Sequence, residues 1–165
     1  MKIGSKSDYG LRALIDLAEH FDSRRVVQAK DIAARQEIPK DYLALIMIDL
    51  RKAGLITSTR GAGGGYRLAH KPDEITMGQA LRSLEGGVKL IDCITDLGFT
   101  QCSLSLRCRM RNVWMEANNA VMAVLDRTTI ADLCDPSRSL VEAAKQEQAT
   151  SSQPPDMPHS LNFNI

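Results

Sequence analysis

The run Gly61-Ala62-Gly63-Gly64-Gly65 constrains this chain more than any other feature. It sits between two short β-prone segments, Leu55 to Arg60 and Tyr66 to Ala69, which it can only join as a hairpin with a glycine tip. Two nucleotide-loop readings of the run fail. A Walker loop needs Gly-Lys-Ser/Thr at its end, and Tyr66 follows Gly65. A dinucleotide fingerprint needs a third glycine where Tyr66 stands, and a helix rather than a strand after it.

What precedes the hairpin gives it a context. Leu11, Leu14, Ile15, Ala18 and Phe21 follow helical spacing, with Ser7 as the expected cap. A shorter helix is predicted from about Ala29 to Gln36, with Ile32 and Ala33 inward. Glu37-Ile38 makes a tight connection, and Pro39 suits a first helical position. Leu43, Ile46, Met47 and Leu50 then recur at i, i+3, i+4, i+7, and Gly54 stops that helix. Two helices joined so closely form a helix-turn-helix candidate, and a hairpin directly after the second helix is a wing. A glycine tip flanked by Arg60 and Arg67 can approach a duplex backbone or minor groove without obstruction. A hairpin tip with no partner leaves both arginines unexplained.

Charge agrees once it is divided. The whole chain of 165 residues carries +1, which by itself gives no reason to expect a polyanion partner. Residues 1–71 carry +5 and residues 72–165 carry −4. Hydrophobic content of 44% and charged content of 25% exclude wholesale disorder, and 4% aromatics leans towards helices. Lys6, Asp8, Arg12 and Asp16 interrupt the amino end as no signal peptide allows, and no run approaches the ~18 apolar residues of a membrane span. The expected location is cytoplasmic.

Beyond Pro72 a short helix is expected at about Met77 to Leu84, capped near Thr76. Glu85-Gly86-Gly87 opens a stretch with no clear period that runs to Cys108. A long helix follows, about Arg109 to Arg127. Its apolar positions Met110, Trp114, Ala117, Val121, Val124 and Thr128 are separated by 4, 3, 4, 3 and 4 residues, the spacing of a coiled-coil seam. Val113, Ala120 and Leu125 widen the face, so the helix is able to serve both a dimer and its own subunit. A core helix within one subunit is the alternative; the small preceding domain favours the dimer. Thr129 to Leu133 reads as a short helix capped by Thr129 with Asp132. Residues 140–149 carry a weak helical pattern, and 150–160 are rich in proline and polar residues and are expected to be disordered. His20, His70 and His159 are isolated and read as structural or solvated.

Four cysteines remain. Cytoplasmic structural disulfides are not expected. Cys93, Cys102 and Cys108 have the spacing Cys-x8-Cys-x5-Cys, without the Cys-x2–4-Cys pair of structural zinc sites. Iron–sulfur clusters tolerate varied spacing on loops, and Arg107, Arg109 and Arg111 crowd Cys108. Spacing alone leaves unrelated buried cysteines as good a reading; their crowding into one loop tips the balance slightly to a metal. Cys134 reads as a small buried residue. A thiol redox enzyme would want a Cys-x-x-Cys pair, which is missing, so no enzymatic activity is expected.

Residues 5–14 (Ser5-Lys6-Ser7-Asp8-Tyr9-Gly10-Leu11-Arg12-Ala13-Leu14), the run Leu50-Arg51-Lys52-Ala53-Gly54-Leu55-Ile56 and the run Arg60 to Leu68 together resemble the Rrf-two family of bacterial transcription regulators. Three cysteines before a long helix, then Thr128-Thr129-Ile130-Ala131-Asp132-Leu133, complete a likeness covering about residues 1–134. It implies a mainly α fold with a small β-hairpin wing, a winged helix-turn-helix domain plus a long dimerisation helix. The expected division is 1–84 for DNA binding, 85–108 for the cysteine loop, 109–134 for the dimer helix and short helix, and 135–165 for a largely disordered tail.

It further implies a homodimeric repressor or activator on a roughly palindromic operator in double-stranded DNA. A 2Fe–2S or 4Fe–4S cluster on Cys93, Cys102 and Cys108 would sense iron, redox state or nitric oxide. The iron–sulfur-biogenesis branch takes its fourth ligand from a His that is Arg111 here, and the first cysteine gap of eight exceeds the family's five. The nitric-oxide branch uses a first-helix acid from the other subunit, the position of Asp8; a first-turn acid favoured by the helix dipole explains Asp8 equally well. A cluster-free regulator steered by a partner protein, as in the cysteine-metabolism branch, is the alternative. The expected DNA contacts are Lys40, Asp41, Tyr42 and Arg51 on the recognition helix, and Arg60, Gly61, Gly63, Gly64 and Gly65 on the wing. The expected dimer contacts are Met110, Trp114, Ala117, Val121 and Val124. A family glutamate after Tyr-Leu is Ala44 here, so base preference does not carry over.

Overall fold

The computed structural model describes residues 4–23, 25–61, 63–87, 89–91, 94–95, 98–99 and 107–135. The chain divides into the units Met1–Asp135 and Pro136–Ile165, and every described residue belongs to the first. The expectations for 140–149 and 150–160, like those for Cys93, Cys102 and His159, lie outside the described residues.

Helix α1 (Ser5–Glu19) places Leu11, Ala13, Leu14 and Leu17 in the core. Its cap is Gly4, not Ser7 as expected. Ser7 lies inside the first turn, fully buried, and its hydroxyl donates to Glu85 Oε1 at 2.6 Å. The serine thus ties α1 to helix α4 (Met77–Glu85). The same crossing passes over Gly10, where an added Cβ would collide with Leu84.

Helices α2 (Ala29–Arg35) and α3 (Lys40–Lys52) follow. Ile32 and Ala33 are buried on α2, as are Leu43, Ile46, Met47 and Leu50 on α3, the positions the period selects. Pro39 is the residue before α3 rather than its first helical residue. Gly54 takes φ +75°, the left-handed geometry of a helix stop. Asp16, fully buried on α1, fixes α2 through Arg35, whose Nε and Nη2 donate to its two oxygens at 2.9 and 2.7 Å. Gln36 Nε2 adds a third donor at 3.3 Å. The hydrogen bonds and charge of Asp16 hold the Arg35 guanidinium more firmly protonated than usual.

Strands β1 (Ile56–Thr59) and β2 (Gly65–Leu68) pair antiparallel, Ile56 opposite Leu68 and Thr59 opposite Gly65. Val27 bridges to Tyr66 by two backbone bonds of 2.8 Å, so the approach to α2 braces the hairpin. Thr76 and Gln79 cap α4 reciprocally, and Gly86 ends it at φ +72°.

The stretch after Gly87, expected to be irregular, contains strands β3 (Lys89–Ile91), β4 (Ile94–Thr95) and β5 (Gly98–Phe99) in an antiparallel meander. Strands of two or three residues are too short for a period of two to show in the sequence. Helix α5 (Arg111–Arg127) packs Met122 and Leu125 inward, and Arg82 of α4 forks onto Asp126. Helix α6 (Ile130–Cys134) has the expected Thr129–Asp132 cap. It is clamped by Ile130 N donating to Ile75 O and Met77 N to Thr128 O, each at 2.8 Å.

Candidate nucleic-acid interface

The helical twist that buries Leu43, Ile46, Met47 and Leu50 turns Lys40, Asp41, Ala44, Leu45, Ile48, Arg51 and Lys52 of α3 to the outside. Of the three expected contacts near its start, Lys40 and Asp41 are exposed. Tyr42 is half-buried, its ring edge-on to Tyr9 at 5.9 Å and 81°. The Arg12 guanidinium lies 5.9 Å from the Tyr9 ring centre, extending the stack along α1. A 2.7 Å ion pair from Lys6 to Asp49 also fastens α3 to α1. The hydrogen bond and charge of Lys6 hold the Asp49 carboxyl below its ordinary range. The outward face is therefore carried by a helix anchored to α1 at two points along its length.

The wing meets this helix directly. Arg51 Nη1 donates to Ser58 Oγ of β1 at 3.3 Å. Between α2, α3 and the wing lies an open groove of about 430 Å³ whose cations are Lys30, Arg51 and Arg60. The two arginines flanking the glycine run part company. Arg60 faces this groove, whereas Arg67 donates from Nε to Thr57 Oγ1 at 3.3 Å and lines a separate cavity of about 610 Å³ beside Leu17, Phe21 and Arg25. Alternation along a strand explains the split, since Thr57 opposes Arg67 on one face and Ser58 opposes Tyr66 on the other.

The glycines divide too. Gly61 holds φ +113°, which L side chains rarely adopt. At Gly64 a Cβ would collide with Thr59 O, and at Gly65 it would stand 2.5 Å from Val27 O. These two glycines are demanded by backbone packing, Gly64 within the wing and Gly65 against the Val27 segment. Gly63 alone of the four, with ordinary φ and nothing within 4 Å of an added Cβ, is required by neither conformation nor packing.

The remaining site residues are more scattered. Cys108 is a free, partly buried thiol one turn before α5, and its carbonyl accepts from Arg111 N at 3.4 Å. Arg107 and Arg109 beside it are exposed. Among the described residues no three His, Cys, Asp or Glu side chains gather as a metal would require, and Cys93 and Cys102 lie outside them. Asp8 is exposed on α1, 3.6 Å from Arg12. Cys134 packs against the core with Sγ 3.9 Å from Ile15 O, and burial, then Glu19, pushes its thiol pKa up. That is an unreactive setting. His20 donates from Nδ1 to Asp16 O at 2.7 Å, a structural role.

The outward residues include Met110, the cap of α5, 63% exposed, and on α5 Val113, 65%, and Val124, 48%, with Trp114 and Ala120 also exposed. Ala117 and Val121 are half-buried, and Thr128, the last seam position, turns inward. Leu125 likewise belongs to the inner face. Sequence reasoning missed Lys30 and Lys52, and the outward apolar residues Leu45 and Ile48. The complement of the buried period on α3 was the available signal for the last three.

The chain matches the Rrf2 family, described as an iron-dependent transcriptional regulator, over residues 3–136. It belongs to that family. The Rrf2 protein of Nitratidesulfovibrio vulgaris is 43% identical over 133 residues, covering 81% of this chain and 87% of that one. The HTH-type transcriptional regulator NsrR of Geobacillus kaustophilus is 36% identical, covering 90% and 99%. The structure of CymR, the global cysteine regulator of Bacillus subtilis, superposes with a TM-score of 0.66 at 35% identity, covering 81% of this chain and 96% of that one. An Rrf2 chain is a transcriptional regulator, built here as a winged helix-turn-helix with a hairpin wing. No helix among the described residues is long and apolar enough to cross a membrane.

Proposed function

We propose that this Rrf2 regulator binds a roughly palindromic duplex as a homodimer and responds to an iron–sulfur cluster held by Cys93, Cys102 and Cys108. The observation that carries the DNA reading is the continuity of surface from the outward face of α3, across the Arg51–Ser58 bond, to the groove holding Lys30 and Arg60. A helix laid in the major groove brings Lys40, Asp41 and Tyr42 near base edges or phosphates. Arg51, Arg60 and the glycines Gly61, Gly63, Gly64 and Gly65 of the wing then meet the neighbouring backbone or minor groove.

The dimer reading rests on α5. Met110, Val113, Trp114, Ala117, Val121 and Val124 form one apolar stripe on a helix whose other face is already packed. A second copy of the same stripe covers it with two-fold symmetry, and the operator's palindromy follows from that symmetry.

Cys108 suits the cluster because it is a soft donor, free, partly accessible and beside cationic residues. When bound, the cluster supplies sensitivity to oxidation state, iron supply or nitric oxide. The partner subunit's Asp8 is the proposed fourth ligand, an exposed carboxylate on a first helical turn. Cys108 stands where its carbonyl receives the first amide of α5, so a change in its ligation acts on the start of the dimer helix. Coupling of about 1–3 kcal/mol between the two sites changes occupancy of an operator about 5- to 150-fold.

Anaerobic purification tests this, with the visible spectrum, iron and sulfide recorded for the wild type and for Cys93→Ser, Cys102→Ser, Cys108→Ser and Asp8→Ala. The expected result is cluster absorbance in the wild type, lost in the cysteine variants and altered by Asp8→Ala. Four variants with the wild-type spectrum overturn the ligand set. Arg111, standing where one branch of the family has a ligating histidine, favours a second reading: a regulator without a cluster, steered by a partner protein. Colourless, iron-free protein that still binds DNA would establish it.

A further inference from the structure

The outward face of α3 has an unusual middle. Lys40 and Asp41 begin it and Arg51 and Lys52 end it, but between them its most outward residues are Ala44, Leu45 and Ile48. Leu45 is 59% exposed and Ile48 39%, while the other large apolar side chains of α3, Leu43, Ile46, Met47 and Leu50, are fully buried. Asp49, the polar residue of that turn, is committed to Lys6. The patch is narrow and bracketed by cations, with Lys30 and Arg60 in the adjoining groove. Such charge fits a polyanion on this face, not the apolar partner helix that the stripe on α5 calls for. On a polyanionic duplex the apolar features of the major groove are the C5-methyl groups of thymine.

We propose that Leu45 and Ile48 are specificity-determining residues that read thymine methyl groups, so this regulator selects thymines where the middle turn of α3 crosses each half-site. The inference rests on α3 being the recognition helix. Ala44 leaves room for that approach, and no outward side chain of this turn offers the amide donor and acceptor that read adenine or the paired donors that read guanine. Asp41, one turn earlier, remains able to accept from the amino group of cytosine.

The test uses the full chain and a pool of randomised duplexes. The best-bound sequence is then resynthesised with deoxyuridine replacing thymine one position at a time, which removes only the methyl group. At thymines under the middle turn, the wild type should bind the uridine duplex about fourfold more weakly, the worth of one buried methyl. Leu45→Ala and Ile48→Ala should each become indifferent to the replacement at one of these positions, while keeping their affinity for unselected DNA. An enriched sequence whose uridine replacements change nothing anywhere overturns this inference and leaves the DNA-binding reading intact. Variants with unaltered methyl sensitivity also overturn it. A pool with no DNA retained at any salt concentration defeats both readings together.

Discussion

Helices α3 and α5 carry similar amphipathic patterns and end in different circumstances. On α3 the large apolar residues of the period, Leu43, Ile46, Met47 and Leu50, are all fully buried, and the opposite face is dominated by charge at its two ends. On α5 only Asn118, Met122 and Leu125 are buried, and a second apolar face stands open. The buried period of the first helix is complete within one chain, leaving outside it only the narrow Leu45–Ile48 patch; the second helix leaves a whole apolar stripe uncovered. A helical period reports that a face is apolar without saying whose surface will cover it.

Four substitutions sharpen or break that contrast. The largest effect is expected for Leu50→Ala on α3, about 2–5 kcal/mol of stability lost, read as a lowered denaturation midpoint. Val113→Ala on α5 should cost less than about 0.5 kcal/mol in the same measurement under conditions where the protomer is single. Equal losses would mean that α5 is buried within the protomer. Next comes the seam itself. Trp114→Glu together with Val124→Glu should convert a dimer to a monomer in sedimentation with the helical content intact, and a dimer that survives both places the interface elsewhere.

The wing offers a smaller contrast. Gly64→Ala and Gly65→Ala, which set a methyl against Thr59 O and Val27 O, should each destabilise by about 1–3 kcal/mol. Gly63→Ala should leave stability within about 0.5 kcal/mol and weaken DNA binding alone. A stable wing with unchanged DNA affinity would remove Gly63 from the interface.

The smallest effect concerns Lys6 and Asp49. Because Lys6 lowers the Asp49 carboxyl, their pairing stabilises the fold above that carboxyl's ordinary value of 3.8 and is lost as pH falls through the lowered one. Lys6→Met should thus reduce stability at neutral pH, the difference vanishing on acidification. A difference that persists in acid would assign it to the aliphatic part of the side chain.

Patterns local in sequence were legible, and side-chain contacts between distant elements were not. The buried sets of α2 and α3, the caps of α4 and α6 and the hairpin all rest on spacing and turn residues within a few positions of one another. Ser7 read as a cap because a serine before an apolar period usually is one; its role is set by Glu85, which lies 78 residues away. The Asp16–Arg35 pair left no pattern either, since one carboxylate on an apolar face looks like a solvated charge until α2 closes over it. Glycines read as one group because their identity shows only that no side chain fits. Whether backbone, φ or an external partner forbids it is a property of the folded wing.

The claim underlying these comparisons is that α3 and the wing form one surface for DNA. The salt dependence of duplex binding by the wild type and by Arg51→Ala combined with Arg60→Ala tests it most directly. Each phosphate that an arginine neutralises adds about 0.9 to the steepness of log affinity against log salt. The double variant should therefore bind more weakly, with a slope shallower by about 2 for each protomer engaged. An unchanged slope and affinity would contradict the claim.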